Sequence, residues 1–247
     1  MMELDILAFS PHPDDAELGC GGSLILAADK GLKVAIADLS AGEMSSRGTP
    51  ELRQSEKEKA AEKLGLSTRF SLGLPDSEIG TDPSQRTPII QLIRETRPRV
   101  VLAPYSQDRH PDHVGASRLV KEACFLAGVG KIGAGRPHRP DHIYYYMIHQ
   151  PFTPSLVVDI SSIWEQKMVA VCAYQSQFQP GGDGPQTAIS RPEFLRFIEA
   201  QAIVFGAMIG AAYGEAFYQP GPVALRGLPG LGDAPKRLDE LPSYRVY

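Results

Sequence analysis

Short apolar runs alternate with longer amphipathic stretches through the first half of the chain, and this alternation limits the possible folds more than any other feature. Leu4–Phe9 reads as a strand. It leads to a helix over Glu17–Lys30, with Leu18, Leu24, Ile25 and Ala28 at helical spacing. Val34–Leu39 is a second strand, apolar except for Asp38, and Glu51–Leu64 is a charged helix opened by Pro50. Ser67–Leu72 is a weaker strand, Pro88–Glu95 a helix, Val100–Ala103 a strand and Asp112–Leu126 a helix. Strands apolar on both faces belong inside a covered sheet, and strand–helix–strand order makes neighbouring strands parallel through right-handed crossovers. The expected fold is therefore α/β and Rossmann-like, a mostly parallel sheet with helices on both faces.

The second half continues with strands at His142–His149 and Leu156–Ile160 and helices at Ile163–Tyr174 and Glu193–Gly206. From Gln219 the composition turns to Pro and Gly. One domain over residues 1–218 is expected, with an irregular tail over 219–247. The net charge of −4 and the pI near 5.9 argue against a nucleic-acid partner, which would demand a basic face. Three cysteines without a CxxC pair indicate neither a disulfide framework nor a Cys-rich zinc module. Acids near the N-terminus, Glu3 and Asp5, and the lack of an apolar run of about 18 residues lead to the expectation of a cytoplasmic protein with no membrane span.

In a sheet of this kind ligands sit beyond the carboxyl ends of the strands. Two segments of similar make-up fall there: Ser10-Pro11-His12-Pro13-Asp14-Asp15 after the first strand, and Asp108-Arg109-His110-Pro111-Asp112-His113 after the Val100–Ala103 strand. Either alone reads equally well as a Pro turn with an Asp helix cap. Together they bring acids and imidazoles to one rim, where crowding is costly unless a cation compensates. A metal site is the better reading, and zinc favours this nitrogen and oxygen donor set.

The two segments resemble the paired His-Pro-(Asp/Ser)-Asp and His-Pro-Asp-His motifs of zinc-dependent sugar de-N-acetylases related to N-acetylglucosaminyl-phosphatidylinositol de-N-acetylase. Ala41–Thr49, Tyr144–Ile148, Val158–Ser161 and Ala173–Phe178 look most like the branch that acts on N-acetylglucosaminyl-malate in bacillithiol biosynthesis. The likeness runs from about Ile6 to Tyr218. It implies His12, Asp15 and His113 as ligands of one Zn2+ per chain. It implies Asp14 as general base, and His110, oriented by Asp112, as acid or oxyanion stabiliser. It also implies a homo-oligomer, often a hexamer, and a small sugar conjugate as substrate. The alternatives are a deacetylase for another N-acetylglucosamine derivative such as a chitobiose-type sugar, an amidase acting on thiol conjugates, or a non-enzymatic sugar- or metal-binding module.

Arg53 matches a substrate-facing arginine of that family, although on its own it reads as one more charge on a charged helix. Arg109 either grips an anion or pairs with Asp108. Ser46, with Ser45, sits in a loop suited to hydroxyl contacts, and Gln150 and Tyr213-Gly214-Glu215 are weaker candidates. His138, His142 and His149 read as surface or strand residues. Cys20 reads as packing. The Gly19-Cys20-Gly21-Gly22 run lacks the third glycine of a dinucleotide fingerprint, since position 24 is Leu24, and instead suits close helix–sheet packing. No Gly-x-Ser-x-Gly elbow is present to supply a serine nucleophile.

Overall fold

The computed structural model describes residues 2–179 and 184–222; most of the expected tail, residues 223–247, lies outside them. Its strands are β1 (Ile6–Ser10), β2 (Val34–Asp38), β3 (Thr68–Ser71), β4 (Val100–Pro104), β5 (His142–Tyr146), β6 (Leu156–Asp159) and β7 (Gly214–Tyr218). Its helices are α1 (Asp15–Asp29), α2 (Pro50–Lys63), α3 (Arg86–Thr96), α4 (Pro111–Ala127), α5 (Trp164–Val171), α6 (Gln175–Phe178) and α7 (Pro192–Met208).

The strands form one sheet in the order β3-β2-β1-β4-β5-β7-β6. The first five are parallel, and β7 runs antiparallel to both β5 and β6. The apolar runs are buried on both faces, as their composition requires. Leu7, Phe9, Val101 and Ala103 point to α3 and α4, while Ala8, Ile36 and Leu102 point to α1, α2 and α5. The α/β, mostly parallel architecture is as expected, with two differences in the second half. The helix expected over Ile163–Tyr174 is α5, but it stops at Val171, three residues early, and a separate short helix, α6, follows from Gln175. Gly214 and Glu215, weaker site candidates in the sequence, are the buried start of β7, between β5 and β6, and Tyr213 precedes them, stacked on Trp164; none of the three lines the cavity described below.

The glycine run on α1 permits close approach, as its composition suggests. A side chain at Gly19 would strike the Tyr146 ring, and one at Gly22 would meet Glu215 Oε1 at 2.9 Å. Cys20 is fully buried. The strand order changes direction between β1 and β4, and the loops after these two strands start α1 and α4 at neighbouring positions. The two His-Pro-Asp segments meet there.

Candidate metal centre

Pro111 stands in the first turn of α4, and His110 is its cap: Nδ1 accepts the Asp112 backbone N–H at 3.2 Å. His113 follows within the first turn, so one rigid helix end presents both rings, stacked with centroids 4.8 Å apart. Across from it, His12 Nδ1 lies 3.0 Å from Asp15 Oδ2, and His113 Nε2 lies 3.3 Å from the same oxygen. His12, Asp15 and His113 thus bring three donor atoms together at spacings suited to one small ion.

The far side of each ring faces a carboxylate. His12 Nε2 is 3.1 Å from Asp112 Oδ2 and 3.2 Å from Asp76 Oδ1. His113 Nδ1 is 3.1 Å from Asp108 Oδ1, at ion-pair distance, although its N–H does not aim at that oxygen and makes no hydrogen bond. Such backing turns the near nitrogen's lone pair toward a metal. Burial works against charge on His12, yet its contacts with Asp112, Asp15 and Asp76 hold its pKa well above the usual imidazole value. Burial likewise opposes charge on His113, but Asp15 and Asp108 raise it to about 9. Without a metal the acids therefore hold protons on both rings, and a divalent cation is the natural replacement for those two charges. The residues present fit the metal that their sequence suggests.

Asp14 is buried and carries φ 121°, left-handed backbone that an L-residue rarely adopts. Arg53 clamps it: Nη2 donates to the Pro13 carbonyl and, at 3.2 Å, to Asp14 Oδ2. Gly42, at φ 70°, leaves room for that guanidinium, since a Cβ there would lie 2.7 Å from Nη1. Burial pushes Asp14 up to about 7, against the pull of Arg53. A carboxylate titrating there suits a general base working near neutral pH.

Two readings of the sequence change here. The Asp112 side chain does not orient His110. It turns toward His12 and accepts the Ser77 and Ile79 N–H groups at 2.8 and 3.2 Å, while its backbone N–H meets His110. With Nδ1 accepting, the neutral His110 ring carries its proton on Nε2. Burial, then His113 and His12, lowers the His110 pKa, outweighing Asp15 and Asp112. Nor is His149 a bystander: it lines the cavity, stacks on His113 at 5.3 Å, and burial takes its pKa down to about 4.

The cavity, of about 230 Å3, is lined by Asp14, Arg53, Asp76, Arg109, His110 and His149 among others. Arg109 is exposed and does not pair with Asp108, whose oxygens instead accept the His110 and His149 backbone N–H groups at 2.9 and 3.1 Å. Ser46 and Gln150 are exposed and do not line the cavity; Ser45 does, with its hydroxyl turned to Gln177 Oε1. Asp76 and Gln177 also line it; neither is singled out by the sequence, because Asp76 stands among other polar residues (Ser77, Glu78) in its loop and Gln177 is one of several polar residues on α6.

The family model described as GlcNAc-PI de-N-acetylase (PIG-L) matches residues 7–124. Diacetylchitobiose deacetylase of Thermococcus kodakarensis is 33% identical over 87% of this chain and 83% of its own. A probable N-acetyl-alpha-D-glucosaminyl L-malate deacetylase of Bacillus cereus is 28% identical over 71% of this chain and 84% of its own. Among solved structures, a conserved protein of Thermus thermophilus superposes with a TM-score of 0.84 and 42% identity, covering 92% of this chain and 98% of that one.

Proposed function

The chain belongs to the GlcNAc-PI de-N-acetylase family of metal-dependent deacetylases, and from that membership we propose that it hydrolyses the acetamide of an N-acetylglucosaminyl conjugate, releasing acetate, with N-acetylglucosaminyl-malate as its substrate. The observation that carries the reading is the convergence of His12, Asp15 and His113 beside a buried Asp14 in one cavity. A plain metal-binding module has no use for a strained carboxylate with a pKa near 7.

His12 Nδ1, Asp15 and His113 Nε2 would hold the ion, with zinc first among the metals this donor set accepts. When bound, zinc supplies Lewis acidity to the amide carbonyl and to the attacking water. Asp14 takes a proton from that water as the new C–O bond forms. His110, with its Nε2–H toward the cavity, donates a hydrogen bond to the oxygen that becomes negative. The C–N bond then breaks, and the proton held by Asp14 passes to the departing amine. Arg53 keeps Asp14 in place throughout, and Asp112 fixes the His12 ring.

The aglycone is read from Arg109, a cation on the cavity wall that no side-chain carboxylate neutralises among the described residues. A guanidinium binds a carboxylate bidentately, and malate offers two. The chitobiose-type reading has its own support in the 33% identity to the diacetylchitobiose enzyme. Acetate release from the malate conjugate, diacetylchitobiose and free N-acetylglucosamine separates the two. Arg109→Ala is expected to cost the malate conjugate about 1.5–3 kcal/mol in kcat/KM, the range for hydrogen bonds to charged groups, and the neutral sugars much less. Equal losses on charged and neutral substrates would mean that Arg109 reads no anion.

A further inference from the structure

Away from the cavity, one buried ion pair grips the helix that carries Asp15. Lys167 on α5 and Glu215 on β7 are each 3% exposed, with Nζ 2.7 Å from Oε1. Lys167 Nζ also donates to the Leu18 carbonyl at 2.8 Å. Glu215 accepts the backbone N–H groups of Gly22 and Ser23, each at 2.7 Å. In an α-helix the carbonyl of residue 18 and the N–H of residue 22 are partners of each other. Here each bonds one member of the ion pair, so two side chains from other elements hold α1 in the middle of its hydrogen-bond ladder. The absence of a side chain at Gly22 is what lets the carboxylate in.

The segment on the N-terminal side of this grip is short and carries the chemistry. Leu18 N–H donates to the Asp14 carbonyl at 3.0 Å, and the Leu18 side chain lines the cavity. Asp14, Asp15 and Leu18 therefore form one turn, tied at its start by Arg53 and at its end by Lys167. We infer that Lys167 and Glu215 are positioning residues: the pair sets where the first turn of α1 sits, and with it the Asp14 and Asp15 carboxylates. Hydrophobic packing of α1 alone would not need a buried charge pair, whose desolvation is costly and which neutral residues of like volume often replace without loss of stability. The inference rests on the deacetylase reading for its kinetic consequence, but not for its effect on metal affinity.

The test is the double variant Lys167→Met with Glu215→Leu, which removes the donor from Leu18 O and the acceptor from Gly22 and Ser23 N–H. It is expected to melt close to the wild type. Its zinc affinity is expected to fall about 10-fold, and its kcat at saturating zinc about 10-fold with KM unchanged, the low end of the effect of removing groups that orient metal ligands. Should the double variant not fold, Lys167→Arg stands in for it. That change keeps the cation but places a larger planar fork against Leu18 O, and the same split between kcat and KM is expected. A folded variant with wild-type zinc affinity and wild-type kcat overturns the inference, because a merely structural pair would move the melting temperature alone. Wild-type protein that binds zinc but releases no acetate from any acetamido sugar would instead end the deacetylase reading and leave the zinc comparison to judge the pair.

Discussion

Two adjacent aspartates at the start of α1 are given opposite character by their contacts. Asp15, although buried, faces His113 and His12 and is held well below the usual carboxylate range, while burial lifts Asp14 to about 7. Asp14→Asn is therefore expected to keep its zinc and lose roughly 10²–10⁴-fold in kcat, the usual size of a general-base contribution. Because Asp14 must be ionised to accept a proton, wild-type kcat/KM should fall as the pH drops through about 7, and this limb should vanish in the variant. Wild-type turnover by zinc-loaded Asp14→Asn would remove it from the mechanism. These residues were legible because they are consecutive: a Pro-rich turn at the end of an apolar strand announces His12, Asp14 and Asp15 together. The Asp112 role was not. Residues 110 and 112 are neighbours in sequence, but the helix start between them sends one side chain to the cavity and the other to His12, and sequence spacing carries no such direction.

The parallel elements followed from period and composition, since β1, β2 and β4 are apolar on both faces and their helices carry caps such as Thr49-Pro50. β7 is not legible in the same way because Gly214-Glu215-Ala216 puts a charge near the centre of a five-residue strand, which its partner Lys167 and the Gly22 and Ser23 N–H groups make tolerable. A second contact invisible in sequence lies on α4. Gly115 sits against the backbone of Ile79 and Gly80, and any side chain there would strike the Ile79 carbonyl. That loop donates the Ser77 and Ile79 N–H groups to Asp112. Gly115→Ala should therefore destabilise the fold by about 1–3 kcal/mol, the range for overpacking, and weaken zinc binding by displacing the loop behind His12. An unchanged melting curve and zinc affinity would show that the loop simply moves aside.

At the scale of the whole molecule, the metal is expected to tie β1 to β4 through His12, Asp15 and His113. A ligand that binds only the folded chain adds about 2.7 kcal/mol at a hundredfold excess over its Kd, and in a chain near this size each kcal/mol moves Tm by about 2–4 °C. Chelation should thus lower Tm by roughly 5–11 °C, with recovery on adding zinc back; calorimetry that finds no shift would mean that the three donors do not hold an ion in common. The sheet order carries a consequence for synthesis. Every proposed zinc ligand lies within the first 113 residues, yet Glu215 belongs to the last strand described, which must enter between β5 and β6. At ordinary translation rates of about 5–20 residues per second, those last hundred or so residues emerge roughly 5–20 seconds after His113. Within that interval β5 is made and stays a bare edge, and the middle of α1 waits for its carboxylate, so the order of synthesis presents the proposed zinc ligands before the strand that closes the sheet.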